Sequence, residues 1–323
     1  MTAVKRGGRE ALKLATPPGI EAKLGAVTAV KTILAKIDGS SNDAAVLESS
    51  YLVALQFRSH ITCLYVRADS LRLLLSAADG IGLAAGAIPV SAQVQQALLE
   101  AETVRARSAR QCFEAFCLEH HLQVAESPST LPEASASWRE VVGDPRDATT
   151  TTARFYDILV LARAQTSGDL YVDDIGSVLM DCGRPVLLAV SPPPKTIGTT
   201  IAIAWKETAE AARALTAASP LLAGAKRIVV LALHEDRAVD SPNERSAEAL
   251  ANQLHWRGLQ ASARTIPHGG HTPAQSIVAA AKEAGADLLI MGAYGHSRAR
   301  ELVFGGMTRH ILINAGIPVL LFH

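Results

Sequence analysis

The residues from Asp287 to Gly306, DLLIMGAYGHSRARELVFGG, have the types and spacing to hold an anion. An apolar run, Leu288 to Met291, ends at Gly292; a tight turn leads to Gly295, and Gly305-Gly306 then opens a run with helical spacing. Glycine leaves backbone N–H groups unshielded by a Cβ, and the N-terminus of a following helix adds partial positive charge. A phosphate suits that combination. Arg298 and Arg300 make the loop locally cationic, either to clamp an anion or to solubilise the approach to a helix. For His296 the choice is between a hydrogen bond to phosphate or ribose and a solvent-facing position. Walker and dinucleotide fingerprints are both absent from the stretch, so a nucleotide site here is of another kind.

Other candidate chemistry is thinner. His268-Gly-Gly-His271 precedes a helix with Thr272 as its expected N-cap, and turn and cap geometry account for these residues better than a metal does. Gly80-Ile-Gly82-Leu-Ala-Ala-Gly86 has a dinucleotide spacing one residue too long and follows a helical rather than a strand pattern. Cys63, Cys112, Cys117 and Cys182 show no metal-ligand spacing, and an apolar core position is expected for Cys112 and Cys117. The Gly-x-Ser-x-Gly nucleophile signature is missing, and nothing supplies the general base that fast ATP turnover needs. No catalytic residue is assigned, and at most weak ATP hydrolysis is expected.

The elements that must position the glycine loop repeat. Asp157-Ile-Leu-Val-Leu is followed by Gly183-Arg-Pro-Val-Leu-Leu, and Asp287-Leu-Leu-Ile-Met by Gly316-Ile-Pro-Val-Leu-Leu, with five of the six positions identical in the second element. Each copy opens on a short apolar run, 32–37 and 200–205. Strands are expected at 227–233, 259–265, 287–292 and 317–322, and helices at 209–217, 243–256, 272–284 and 306–315. That alternation implies parallel sheets covered by helices on both faces. The Ser191-Pro192-Pro193-Pro194-Lys195 connector sets the expected division: an N-terminal extension 1–30, one domain 31–192 and a second 196–323. Apolar residues make up 49% of the 323, and the formal net charge is +0, which argues against a general nucleic-acid binder. With no run long enough to span a membrane and no secretory signal pattern, a cytoplasmic protein is expected.

The strand ending in Gly292-x-x-Gly295, then nine residues and Gly305, resembles the nucleotide loop of the universal stress protein family. The opening strand ending Asp38-Gly39-Ser40 and the Pro-Val-Leu-Leu of each last strand resemble the same family. From about residue 30 to 323 the chain is similar to a tandem member with two such domains. The resemblance implies two tandem doubly wound five-stranded parallel-sheet α/β domains, Rossmann-like and of the adenine nucleotide alpha hydrolase-like type. It also implies pairing of domains through the final strand: a pseudo-dimer within one chain, with a homodimer left open. It implies ATP as ligand, with Mg²⁺ or Mn²⁺, and protein partners in a stress response. By the same resemblance Gly292 and Gly295 lie against ribose and phosphate, Gly305 begins the phosphate-cradling helix N-terminus, and Thr308 offers it a hydroxyl.

Two departures qualify this. Gly306 stands where the family has Ser or Thr, and Lys206 stands where it has the adenine-side acid. The first copy keeps that acid as Asp38 but reads Ala162-Arg163-Ala164-Gln165 in place of the loop. The expectation is therefore a non-catalytic, nucleotide-responsive protein binding ATP in its C-terminal domain. A nucleotide-free interaction scaffold and a slow ATPase are the alternatives.

Overall fold

The computed structural model describes residues 29–68, 91–127, 133–163, 170–234, 242–267, 270–293 and 306–323. The eleven strands of the described residues lie in one sheet. In chain order they are β1 (Thr32–Ile37), β2 (His60–Ala68), β3 (Gln123–Val124), β4 (Ser135–Gly143), β5 (Ile158–Leu161), β6 (Val186–Leu188), β7 (Thr200–Ala204), β8 (Arg227–Leu233), β9 (Ala261–Ile266), β10 (Leu288–Gly292) and β11 (Val319–Phe322). The helices are α1 (Asp43–Phe57), α2 (Ala92–Glu119), α3 (Pro145–Ala153), α4 (Leu170–Asp181), α5 (Ala209–Ala217), α6 (Ser219–Gly224), α7 (Pro242–Trp256), α8 (Pro273–Glu283) and α9 (Gly306–Asn314).

Sheet order is β3-β4-β2-β1-β5-β6-β11-β10-β7-β8-β9. Each half therefore has the same plan. Its first strand lies between its second and fourth, and its last strand sits beyond the fourth. All pairings are parallel except β6 with β11, which is antiparallel. The register there is symmetric: Val186 faces Leu321, Leu187 faces Leu320 and Leu188 faces Val319. The last strands thus fuse two five-stranded plans into one sheet, with β3 added at the outer edge of the first.

The repeated Pro-Val-Leu-Leu motif now has a physical reason. Proline lacks an N–H and suits the residue just before a strand, where only its carbonyl is used. Pro185 O accepts from Leu159 N at 3.0 Å, and Pro318 O accepts from Leu289 N at 3.0 Å. The aspartates that open β5 and β10 act alike as well. Asp157 Oδ2 accepts from Lys31 N and Thr32 N, both at 2.8 Å, and Asp287 Oδ1 accepts from Thr200 N at 3.0 Å. Each fastens the amino end of its half's fourth strand to that of the first.

Central strands are apolar on both faces because helices cover both. One cluster holds Ile33, Ile61, Val160, Ile203 and Val230; the other holds Leu34, Leu64, Leu159, Leu231 and Leu289. Edge strand β9 differs, with Ser262 to Thr265 exposed and only its end residues buried. The expected elements of the second half agree with the observed ones to within two residues, and 227–233 and 209–217 agree fully. Thr272 caps α8 as expected, in a reciprocal capping box with Gln275. Cys117 is buried and Cys112 partly so, both on α2. Residues 1–28 of the expected N-terminal extension 1–30, the Gly80–Gly86 run and His268 lie outside the described residues.

Candidate functional site

In an open parallel sheet, ligands bind beyond the carboxyl ends of the strands where the strand order reverses. In the second half that point lies between β7 and β10, which pair Ala202 with Leu289 and Ala204 with Met291. Gly292 is the last residue of β10. A Cβ built on it would lie 2.5 Å from Ala211 N and 2.6 Å from Glu210 C. Glycine is required there because the first turn of α5 packs directly on the strand end. Beyond β7, Trp205 is partly buried and its Nε1 donates to Ser246 Oγ of α7 at 2.9 Å. Lys206 and Glu207 follow, both exposed. Thr208 caps α5, its Oγ1 accepting from Ala211 N at 3.3 Å.

Helix α9 runs back toward β11, so its N-terminus stands on this same side of the sheet. It opens at Gly306, where an added Cβ would meet nothing within 4 Å. Thr308, in its first turn, is buried. At the end of β8, His234 pairs through Nδ1 with Glu244 of α7. The structure thus gathers Gly292, Lys206, Gly306 and Thr308 at one end of the second half. Gly295, His296, Arg298 and Gly305 lie outside the described residues.

The same place in the first half is built differently. Gly39, just past β1, has φ +82, and a Cβ there would lie 2.4 Å from Arg105 O of α2. The backbone of α2 crosses the end of β1, whereas in the second half, among the described residues, Lys206 and Glu207 at the corresponding place are exposed. Burial pushes the Asp38 carboxyl up, but Lys36 Nζ at 3.7 Å and Ser40 N at 3.0 Å bring it below its usual 3.8. The acid is already engaged in its own turn. Asp43, only 2% exposed, accepts from Asp38 N at 3.0 Å and Gly39 N at 2.8 Å. Its burial outweighs those bonds and raises it to about 6.

At the end of β5, Ala162 takes the place of Gly292, and Arg163 follows. Burial lowers the Arg163 guanidinium to about 10, and its Nη2 donates to Ile317 O of the other half at 2.7 Å. The residue that replaces the loop therefore ties the two halves together. Asp43, Arg163, Trp205 and the His234–Glu244 pair escaped the sequence reading. Only Arg163 had a sequence signal, as a charge inside an otherwise apolar strand end.

Residues 184–323 match the universal stress protein family. The chain is 25% identical over 309 residues to universal stress protein Slr1230 of Synechocystis, covering 91% of this chain and 100% of that protein. Among solved structures, it is similar to a universal stress protein from Archaeoglobus fulgidus, with a TM-score of 0.58, 16% identity and coverage of 90% of this chain and 97% of that one. A functionally unknown protein from Pseudomonas aeruginosa PAO1 aligns with a TM-score of 0.51 and 14% identity, over 92% of this chain and 94% of that one. At such identities the structural likenesses speak to the fold alone.

Proposed function

Residues 184–323 match the universal stress protein family, and on that premise we propose that the C-terminal half binds ATP, with Mg²⁺ or Mn²⁺, and does so without turning it over. The observation that carries this reading is the opening of α9 at Gly306, beyond the switch point. An added Cβ at Gly306 would meet nothing within 4 Å among the described residues, and the first-turn N–H groups of a helix suit a phosphate. Lys206, exposed beyond β7, adds a positive charge on the same side. Binding acts by changing the surface offered to a protein partner. The first half takes no nucleotide, because α2 crosses the end of β1 and Asp38 is held in its turn.

The test uses Gly306→Asp. An acidic residue at a helix N-terminus favours the helix but repels a phosphate. The variant should melt at or above the wild-type temperature without ligand and lose the ATP-induced rise in melting temperature. An undiminished ATP-induced rise in the variant, or none in the wild type, would sink the proposal. An acid extract of the freshly purified protein, run on an ion-exchange column, shows independently whether nucleotide is carried through purification.

A further inference from the structure

At the amino ends of the first half's strands, several strands away from the proposed nucleotide crevice in the sheet order, lies a cavity of about 710 Å³. Its floor is a polar ladder on one sheet face. His60 opens β2 beside Ser135 of β4, and Thr62 stands opposite Ser137. His60 Nδ1 and Nε2 lie 2.8 Å from Ser135 Oγ and Ser137 Oγ, and the Ser137 hydroxyl donates to Thr62 Oγ1 at 3.3 Å. Burial lowers the His60 pKa below 6.5, so the ring is neutral at pH 7. Proton order then follows. Ser137 has spent its proton on Thr62, so His60 Nε2–H must donate to Ser137 and Nδ1 must accept from Ser135. The ladder ends with the Thr62 proton and the Ser135 lone pairs unspent, a donor and an acceptor both lining the cavity.

The second half serves as an internal control. Thr32 faces His60, and Thr200 faces Arg227, so Arg227 is the counterpart of His60 and Val229 that of Thr62. There Arg227 donates to Ala284 O, Arg264 pairs with Glu283, and Val229 is buried among apolar residues. That face carries a buried valine and two engaged arginines where the first half has Thr62, His60 and Arg139. The fold therefore does not demand the polar groove of the first half. Lys31, Arg58 and Arg139 supply positive charge at the rim, against Glu126 and Glu133. Lys31 Nζ donates to Phe57 O at 2.6 Å, whereas Arg58 and Arg139 are exposed and make no ion pair among the described residues.

We propose that this groove binds a small hydroxylated anion, of the sugar-acid or sugar-phosphate class. Arg58 and Arg139 hold the charged end, and the Ser135–His60–Ser137–Thr62 ladder reads the hydroxyls. The two rim carboxylates limit the charge the groove accepts and disfavour a polyphosphate, so the site is separate from the nucleotide crevice in ligand as well as in place. Nothing in this inference depends on ATP binding.

The test follows the His60 ring resonances by NMR, assigned with His60→Gln, while the full chain is titrated with D-gluconate, D-glucose 6-phosphate or neutral D-glucose. At least one anion should shift the His60 signals saturably, with about millimolar affinity, while D-glucose leaves them in place. Whichever anion binds identifies the charged group, carboxylate or phosphate ester. Arg58→Gln and Arg139→Gln, both at exposed positions, should each weaken binding about tenfold. The proposal is overturned if neither anion moves the signals, if D-glucose binds as well, or if the double variant keeps wild-type affinity.

Discussion

Asp38 and Asp43 stand five residues apart in sequence, yet the fold drives their carboxyls in opposite directions. Asp38 is held below 3.8 by Lys36 and Ser40 despite its burial, and Asp43 is raised to about 6 by burial. The sign of the pH dependence follows from linkage. Between 3.8 and about 6 the unfolded chain has released the Asp43 proton and the native protein still holds it. Stability from this group is therefore full below 3.8, falls as pH rises toward about 6, and is level above. Asp38 contributes the opposite slope below 3.8. Asp43→Asn removes the titration and should flatten that decline, read from urea midpoints measured across the window. An unchanged slope would show that the burial of Asp43 is relieved by local opening. Neither effect was legible in the sequence. Asp43 reads there as an ordinary acidic residue in the first turn of a helix, because its burial depends on α2 arriving from far along the chain.

Elements, by contrast, were largely legible. The alternating apolar runs and the repeated Pro-Val-Leu-Leu gave the strand plan twice, since a strand buried on both faces is apolar throughout and proline marks its start. Helix α6 and the two-residue β3 escaped notice because Ser219-Pro220 and Gln123-Val124 carry no periodic pattern. Gly292 shows how a correct residue can carry an incomplete reason. Sequence pattern made it part of an anion loop, while the structure gives it a packing duty between β10 and α5. Its counterpart Ala162 tolerates a side chain because α1 does not press on β5 in that way. We expect Gly292→Ala to force α5 away from the strand end and destabilise the protein by about 1–3 kcal/mol, the usual cost of overpacking. Urea denaturation measures this directly. A midpoint equal to wild type would mean that α5 shifts without cost, and that ligand approach alone explains the glycine. Because this position couples to the fold, a loss of ATP binding in Gly292→Ala would carry no weight about the ligand, whereas Gly306→Asp avoids that ambiguity.

At the scale of the whole molecule, the antiparallel join of β6 to β11 uses both last strands within one chain. The cross-half bonds from Arg163 to Ile317 O and from Gln56 Nε2 to Ile197 O, both at 2.7 Å, fasten the halves further. A second chain cannot pair along either strand without breaking this join. The halves so paired are unequal: α2 crosses the end of β1 in one, and beyond the corresponding end of β7 in the other Lys206 and Glu207 are exposed. Two measurements on one sample follow from this asymmetry. Light scattering should give the mass of a single chain, 34.0 kDa, and calorimetric titration with ATP should saturate at one nucleotide per chain. A dimer at all concentrations would require another surface, of which the exposed edge of β9 is the first to examine, since its unpaired backbone groups can accept a further strand. Two nucleotides per chain would contradict the block at Gly39 and Arg105 directly. In that case Gly39→Ala, whose Cβ would push α2 away, should alter the second binding event and leave the first as it was.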